Sequence, residues 1–259
     1  MIWVFDSWFW WLQTLKYLKA QFPHEDFLFL ADNKNIPYGN KDELTIRNLT
    51  VKNITWLLDQ WCQYIVIACN TAVASIYHHW FSEEIENKLI GVTKCGIKEA
   101  ILYNHKKIAV LCTQATHNLN VYPTIYEEVQ GKWLLYTIPA PELVPLIEAD
   151  TLDYDKIYHY VDMYGKYIAA DTDCLILGCT HYPIILDVFW EKFPYLKIID
   201  PGRSTIFTLD KRISSKDSKK DYGRGHIRLV CTGSSEKFIK WAQKIRKTKD
   251  LPPIEEVSI

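Results

Sequence analysis

Two cysteines carry the strongest chemical signal in this chain. Cys69 follows the run Tyr64-Ile-Val-Ile-Ala68 and precedes Asn70-Thr71; Cys179 follows Cys174-Leu-Ile-Leu-Gly178 and precedes Thr180-His181. The two segments lie 110 residues apart and repeat one pattern: an apolar run of strand length, a small residue, a thiol, then polar residues. Buried parallel strands read as continuous apolar runs, and ligands of open α/β sheets bind outside the carboxyl ends of the strands. Two thiols so placed on two similar units can face one small ligand from opposite sides. Helices expected to begin near Thr71 and Tyr182 would stabilise each thiolate through their free N–H groups, making it a base or a nucleophile.

Other residues fall in comparable turns. His181 sits two residues beyond Cys179, where an imidazole can relay the thiol's proton or lower its pKa. Asp6 directly follows the first strand-like run; taken alone it reads as an N-cap or turn residue, and at a carboxyl end a carboxylate can also orient an amino group or accept a proton. Ser7, Asn70, Thr71, Thr113, Thr116 and Thr180 with nearby backbone N–H groups make a cradle for carboxylates. Tyr38-Gly39 and Glu148 suit either an ordinary surface or a site. Cys62, Cys95, Cys112, Cys174 and Cys231 read as small buried hydrophobes.

The elements that must position these residues alternate. Strand-like runs are expected at Ile2–Phe5, Phe27–Leu30, Tyr64–Ala68, Lys88–Gly91, Ile108–Leu111, Trp133–Ile138, Cys174–Gly178, Lys197–Ile199 and Ile227–Cys231. Between most of them lie helix-length stretches such as Asp42–Gln60, Thr116–Val129 and Tyr154–Ala169. Alternation of this kind predicts an α/β fold with mostly parallel sheets, here in two lobes of similar layout. Lobe one is expected over residues 1–92, completed by 205–259, and lobe two over 93–204.

The bulk numbers narrow the function classes. At 259 residues, 48% hydrophobic and 24% charged, the chain has material for a core and no low-complexity tract. A net charge of −1 supplies no global field for nucleic acid or an anionic membrane, and the basic stretch from Lys211 to Arg228 reads as a solvated loop. Ile2 to Leu12 is apolar but too short to span a bilayer, and no secretory leader pattern is visible, so a cytoplasmic setting is expected. Seven cysteines without a CxxC pair fit neither a disulfide framework nor a zinc ribbon, so no metal is expected. Neither GxGxxG nor GxxxxGK[ST] occurs, and no organic cofactor is expected.

Phe5-Asp-Ser7, Ala31-Asp32 with Pro37-Tyr-Gly39, Ala68-Cys-Asn-Thr-Ala72, Leu177-Gly-Cys-Thr-His-Tyr-Pro183 and Asp200-Pro-Gly202 together resemble glutamate racemases, of the cofactor-independent aspartate/glutamate racemase superfamily. The resemblance covers essentially the whole chain. It implies two pseudo-symmetric lobes with the active site between them, and interconversion of L- and D-glutamate that supplies peptidoglycan synthesis. It implies that Cys69 and Cys179 are the two bases, that Asp6 and His181 assist them, and that Glu148 is a further helper. Asp6, Ser7, Tyr38, Gly39, Asn70, Thr71, Thr113, Thr116, Thr180 and His181 would hold the substrate. Cys112 stands where the family often has glycine, beside Thr113 and Thr116. The expected partner is the small-molecule substrate, with a homodimer possible. Aspartate or another amino acid as substrate, a catalytically impaired binding protein on the same scaffold, and a thiol redox protein are the alternatives.

One departure is large. Where the family has Asp-Ser-Gly-x-Gly-Gly, this chain has Asp6-Ser7-Trp8-Phe9-Trp10-Trp11. Trp3 and Trp61 also stand at usual glycine positions, so five of ten tryptophans do so. Glycine is scarce, at 10 of 259 residues, about 4% against an average of about 7%. A gene that reads the codon UGA as glycine, translated as though UGA were tryptophan, would produce both facts. If the tryptophans are genuine, a blocked pocket and little racemase activity are expected.

Overall fold

A computed structural model describes residues 1–8, 12–79, 81–214, 223–246 and 252–259. Trp10 and Trp11 lie outside the described residues. The first part of the chain runs β1 (Ile2–Asp6), α1 (Leu12–Gln21), β2 (Phe27–Ala31), α2 (Glu43–Leu58), β3 (Tyr64–Ile67), α3 (Asn70–Ile76), α4 (Glu83–Glu86) and β4 (Leu89–Gly91). The second runs α5 (Val92–Leu102), β5 (Lys107–Cys112), α6 (Gln114–Asn118), α7 (Val121–Glu128), β6 (Leu134–Pro139), α8 (Leu143–Glu148), α9 (Tyr154–Gly165), β7 (Cys174–Gly178), α10 (Leu186–Lys192) and β8 (Lys197–Ile199). Then follow α11 (Pro201–Ser214), β9 (Ile227–Cys231), α12 (Ser235–Arg246) and β10 (Ile254–Glu256).

Every strand pair among the described residues is parallel. One sheet has the order β10-β9-β2-β1-β3-β4 and the other β6-β5-β7-β8. The inner order 2-1-3-4 therefore recurs as 6-5-7-8, which makes β3 and β7 equivalent strands. β1, β2, β3 and β7 are buried along their whole length, as continuous apolar runs in a doubly covered parallel sheet require. One apolar core joins residues of both sheets, from Ile2 and Phe5 to Leu175 and Leu177.

Two local features differ from the sequence expectation, and a third sits where that expectation has a glycine position. The stretch expected as one helix over Thr116–Val129 is two, broken at Asn120, whose φ of 51° is a left-handed conformation that asparagine tolerates. Strand β10 was not expected, because three residues of sequence Ile-Glu-Glu after two prolines carry little strand signal; its backbone pairs with Leu229 to Cys231 at the sheet edge. The third is Trp61, which ends the turn after α2 with φ 60° and 86% of its surface exposed. A left-handed residue just past a helix is the place for glycine, and holding a side chain there costs about 1–2 kcal/mol. Trp61→Gly is expected to raise stability by about 1 kcal/mol, the strain relieved less the backbone entropy glycine loses. A thermal melt should show a Tm higher by roughly 2–4 °C; a lower Tm would mean that the exposed indole has a packing role.

Candidate active site

Both sheets reverse their winding direction at one place. In the first sheet β1 and β3 lie side by side while their following strands go outward on opposite flanks; in the second, β5 and β7 do the same. A crevice opens beyond the carboxyl ends at each such switch point. Ser7 and Cys69 stand at the first crevice, Thr113 and Cys179 at the second, and all four line a single cavity. The cavity is about 60 Å³. The loop after β2 and helix α8 complete its wall, bringing Tyr38, Gly39 and Glu148 to the cavity that the thiols line. Gly39 is needed for closeness: a Cβ there would lie 3.3 Å from that of Thr113.

Each thiol heads a short chain of polar groups. Cys69 Sγ lies 3.3 Å from Ser7 Oγ and accepts the Ala72 N–H at 3.4 Å; Ser7 Oγ in turn donates to Asp6 Oδ1 at 3.4 Å. Cys179 Sγ lies 3.4 Å from His181 Nδ1, and His181 Nε2 lies 2.9 Å from Glu148 Oε1. Two thiols, each backed by a relay ending in a carboxylate, thus enter one space from two sheets. The His181 tautomer follows from its partners. With Nε2–H donated to Glu148, the Nδ1 lone pair faces the thiol.

The electrostatics correct one expectation. Helix N-termini were expected to favour thiolates. Instead burial, reinforced by the neighbouring Asp6 charge, pushes the Cys69 thiol up to about 12, and burial holds Cys179 well above the ordinary thiol range. Only a short 3₁₀ turn, Tyr182–Ile185, follows Cys179, so little helix dipole acts there. Burial lifts Asp6 to about 7, against the Trp8 and Ser7 backbone N–H groups and the Thr180 hydroxyl. Burial also depresses His181, opposed by Glu148, and keeps its ring neutral. At rest both thiols hold their protons, and each has a neighbour able to take one.

Of the residues named from sequence, Ser7, Tyr38, Gly39, Cys69, Asn70, Thr71, Thr113, Glu148, Cys179, Thr180 and His181 line the cavity. Asp6 and Thr116 do not. Asp6 is wholly buried behind Ser7, and Thr116 lies behind Thr71 and Thr113, whose hydroxyls it meets at 3.2 and 3.0 Å. The lining contains no Lys or Arg among the described residues, so an anion there must be held by hydroxyls, the Asn70 amide and backbone N–H groups. Trp8 also lines the cavity and is only 7% exposed. Trp3 is buried in β1 with its indole N–H unpaired.

Sequence reasoning missed the support of Tyr38. The Asp32 carboxylate is fully buried and accepts from Tyr38 OH at 2.5 Å, Thr232 Oγ1 at 2.5 Å, Asn35 Nδ2 at 2.9 Å and Asn53 Nδ2 at 3.2 Å. It thereby ties the loop after β2 to α2 and to the turn after β9. The signal was present: Asp32 follows β2 directly, as Asp6 ends β1.

The model of the Asp/Glu/hydantoin racemase family matches residues 16–206. A glutamate racemase of Persephonella marina is 32% identical over 242 residues, 92% of this chain and 90% of that protein. The fold superposes on the glutamate racemase of Thermus thermophilus in complex with β-chloro-D-alanine with a TM-score of 0.86 at 26% identity, covering 100% of this chain and 96% of that one. It superposes on the Francisella tularensis glutamate racemase in complex with D-glutamate with a TM-score of 0.85 at 28% identity, covering 99% and 97%.

Proposed function

The chain belongs to the Asp/Glu/hydantoin racemase family, and we propose that it interconverts L- and D-glutamate by two-base proton transfer between Cys69 and Cys179. The observation that carries this is the entry of the two thiols into one cavity from topologically equivalent strands of two sheets. Inversion at a carbon without a swinging group requires an acid and a base on opposite faces, and duplicated strands supply such a pair.

The steps follow from the relays. For one direction, Cys69 gives its proton towards Asp6 by way of Ser7, and the thiolate takes the Cα proton. The electron pair left on Cα spreads into the α-carboxylate, where hydrogen bonds from the turn N–H groups and from Ser7, Asn70, Thr71, Thr113 and Thr180 stabilise the developing charge. Cys179 then delivers its proton to the other face; a proton taken up from solvent at His181 Nδ1, its transient positive charge balanced by Glu148, passes to the Cys179 thiolate, and Asp6 returns to solvent the proton it took. The reverse direction exchanges the roles. A substrate ammonium group between the sulfurs favours each thiolate, offsetting the burial that raises them. D-glutamate made this way would serve peptidoglycan synthesis, and a reducing cytoplasm suits free thiols.

The test is the fate of the Cα hydrogen. Incubated in D₂O with either enantiomer, the protein is expected to wash deuterium into Cα and to bring the circular dichroism of both solutions to zero. Exchange with aspartate but not glutamate would overturn the substrate, and exchange with neither would overturn the reaction. Trp8 in the cavity wall favours a second reading, a binding protein of low turnover on this scaffold, and its own test is the replacement of that residue.

A further inference from the structure

Asn70 presents a problem that its neighbours solve. It follows Cys69, begins α3 and lines the cavity. Its side-chain amide has one end that donates and one that accepts, and the two ends are interchangeable in shape. Only the donating end is useful towards a carboxylate. Tyr122, on α7, is fully buried and belongs to a second apolar cluster that includes Ile97, Val110 and Ile176. Its hydroxyl donates to Asn70 Oδ1 at 2.8 Å, and Thr93 Oγ1 donates to the same oxygen at 3.4 Å. As placed, the amide oxygen accepts from both the Tyr122 phenol and the Thr93 hydroxyl; reversed, the amide's donors would face both hydroxyls, and the phenol proton would have only the Thr93 oxygen to turn to. Two donors meeting on one oxygen thus favour one setting of the amide.

We infer that Tyr122 is a positioning residue: by donating to Asn70 Oδ1 from the second lobe, it turns the Asn70 amide so that Nδ2 faces the cavity and receives a substrate carboxylate. This rests on the amino-acid racemase reading of the site. Tyr122 touches no substrate itself; it lends an orientation to a residue of the other lobe, next to a reacting thiol.

Tyr122→Phe keeps the ring and removes only the proton. KM for glutamate is expected to rise about tenfold, the worth of one well-placed hydrogen bond, with kcat changed by less than about threefold. Asn70→Ala should raise KM to a similar degree, and adding Tyr122→Phe to it should do nothing more. Unchanged KM in Tyr122→Phe, or additive effects in the double variant, overturns the inference, since a merely structural tyrosine would act on both backgrounds alike. A second measurement stands apart from turnover. The Asn70 side-chain amide pair in a ¹H–¹⁵N spectrum, identified by its loss in Asn70→Ala, should shift in Tyr122→Phe; an unmoved pair overturns the inference. If the wild-type chain exchanges no Cα hydrogen, the racemase reading fails alone and the spectrum still decides the role of Tyr122.

Discussion

Serine in place of either Cys69 or Cys179 lowers racemisation of glutamate by about 10³-fold or more, in both directions. A serine hydroxyl occupies nearly the same space and keeps the contacts to Ser7, Ala72 or His181, so the fold is retained. What is lost is acidity: a hydroxyl near neutral pH neither takes the Cα proton as an anion nor returns one at a useful rate. The consequence separates two faces. Each variant keeps one thiol, and that thiol still reaches the Cα hydrogen of one enantiomer. In D₂O, Cys69→Ser should therefore exchange the Cα hydrogen of one enantiomer without inverting it, and Cys179→Ser that of the other. Exchange of the same enantiomer in both variants would place the sulfurs on one face and end the two-base scheme. Full racemisation by either variant would end it more simply.

The meeting of the two thiols at one cavity was legible because the repeat was written in strands. Cys69 and Cys179 follow runs of the same length and character, and the sheets repeat their inner order, so a pattern in the sequence became equivalence in space. Local signals also sufficed for β2 and β7, whose apolar runs are buried throughout, and for β9, which is buried from Leu229 to Cys231. What was not legible depends on packing between distant parts. Thiolate stabilisation was expected from helix ends, but burial dominates at Cys69, and burial is set by how the whole chain packs around the thiol. Thr116 and Asp6 were grouped with the binding residues because they follow strands; which of several such groups reaches the cavity is set by side-chain direction. Tyr122 lies 52 residues from Asn70 in the chain, and Thr232 lies 200 from Asp32. No local pattern announces such pairs.

Trp8→Gly is expected to raise kcat/KM for glutamate on the order of 10²-fold, the scale of a small misplacement at a reacting centre. The residue follows Ser7 at the first switch point, where the backbone should lie against the ligand. Its N–H already points inward, to Asp6 Oδ1 at 3.3 Å, and that bond needs no side chain. The indole, by contrast, forms part of the cavity wall beside Ser7 and Cys69, where it takes up space that glycine would leave to the ligand. Removing it opens the cavity on the side of Cys69 without touching either relay. Unchanged or reduced kcat/KM would show that the indole holds the substrate rather than obstructs it. The natural protein offers an independent check, because Trp61 adopts a glycine conformation and Trp3 buries an unpaired N–H. A gene that reads UGA as glycine would relieve all three positions together. Peptide masses from the native protein should then show glycine at 3, 8 and 61. Tryptophan there would mean that the chain bears the strain, and that the Trp8→Gly comparison measures its cost to catalysis.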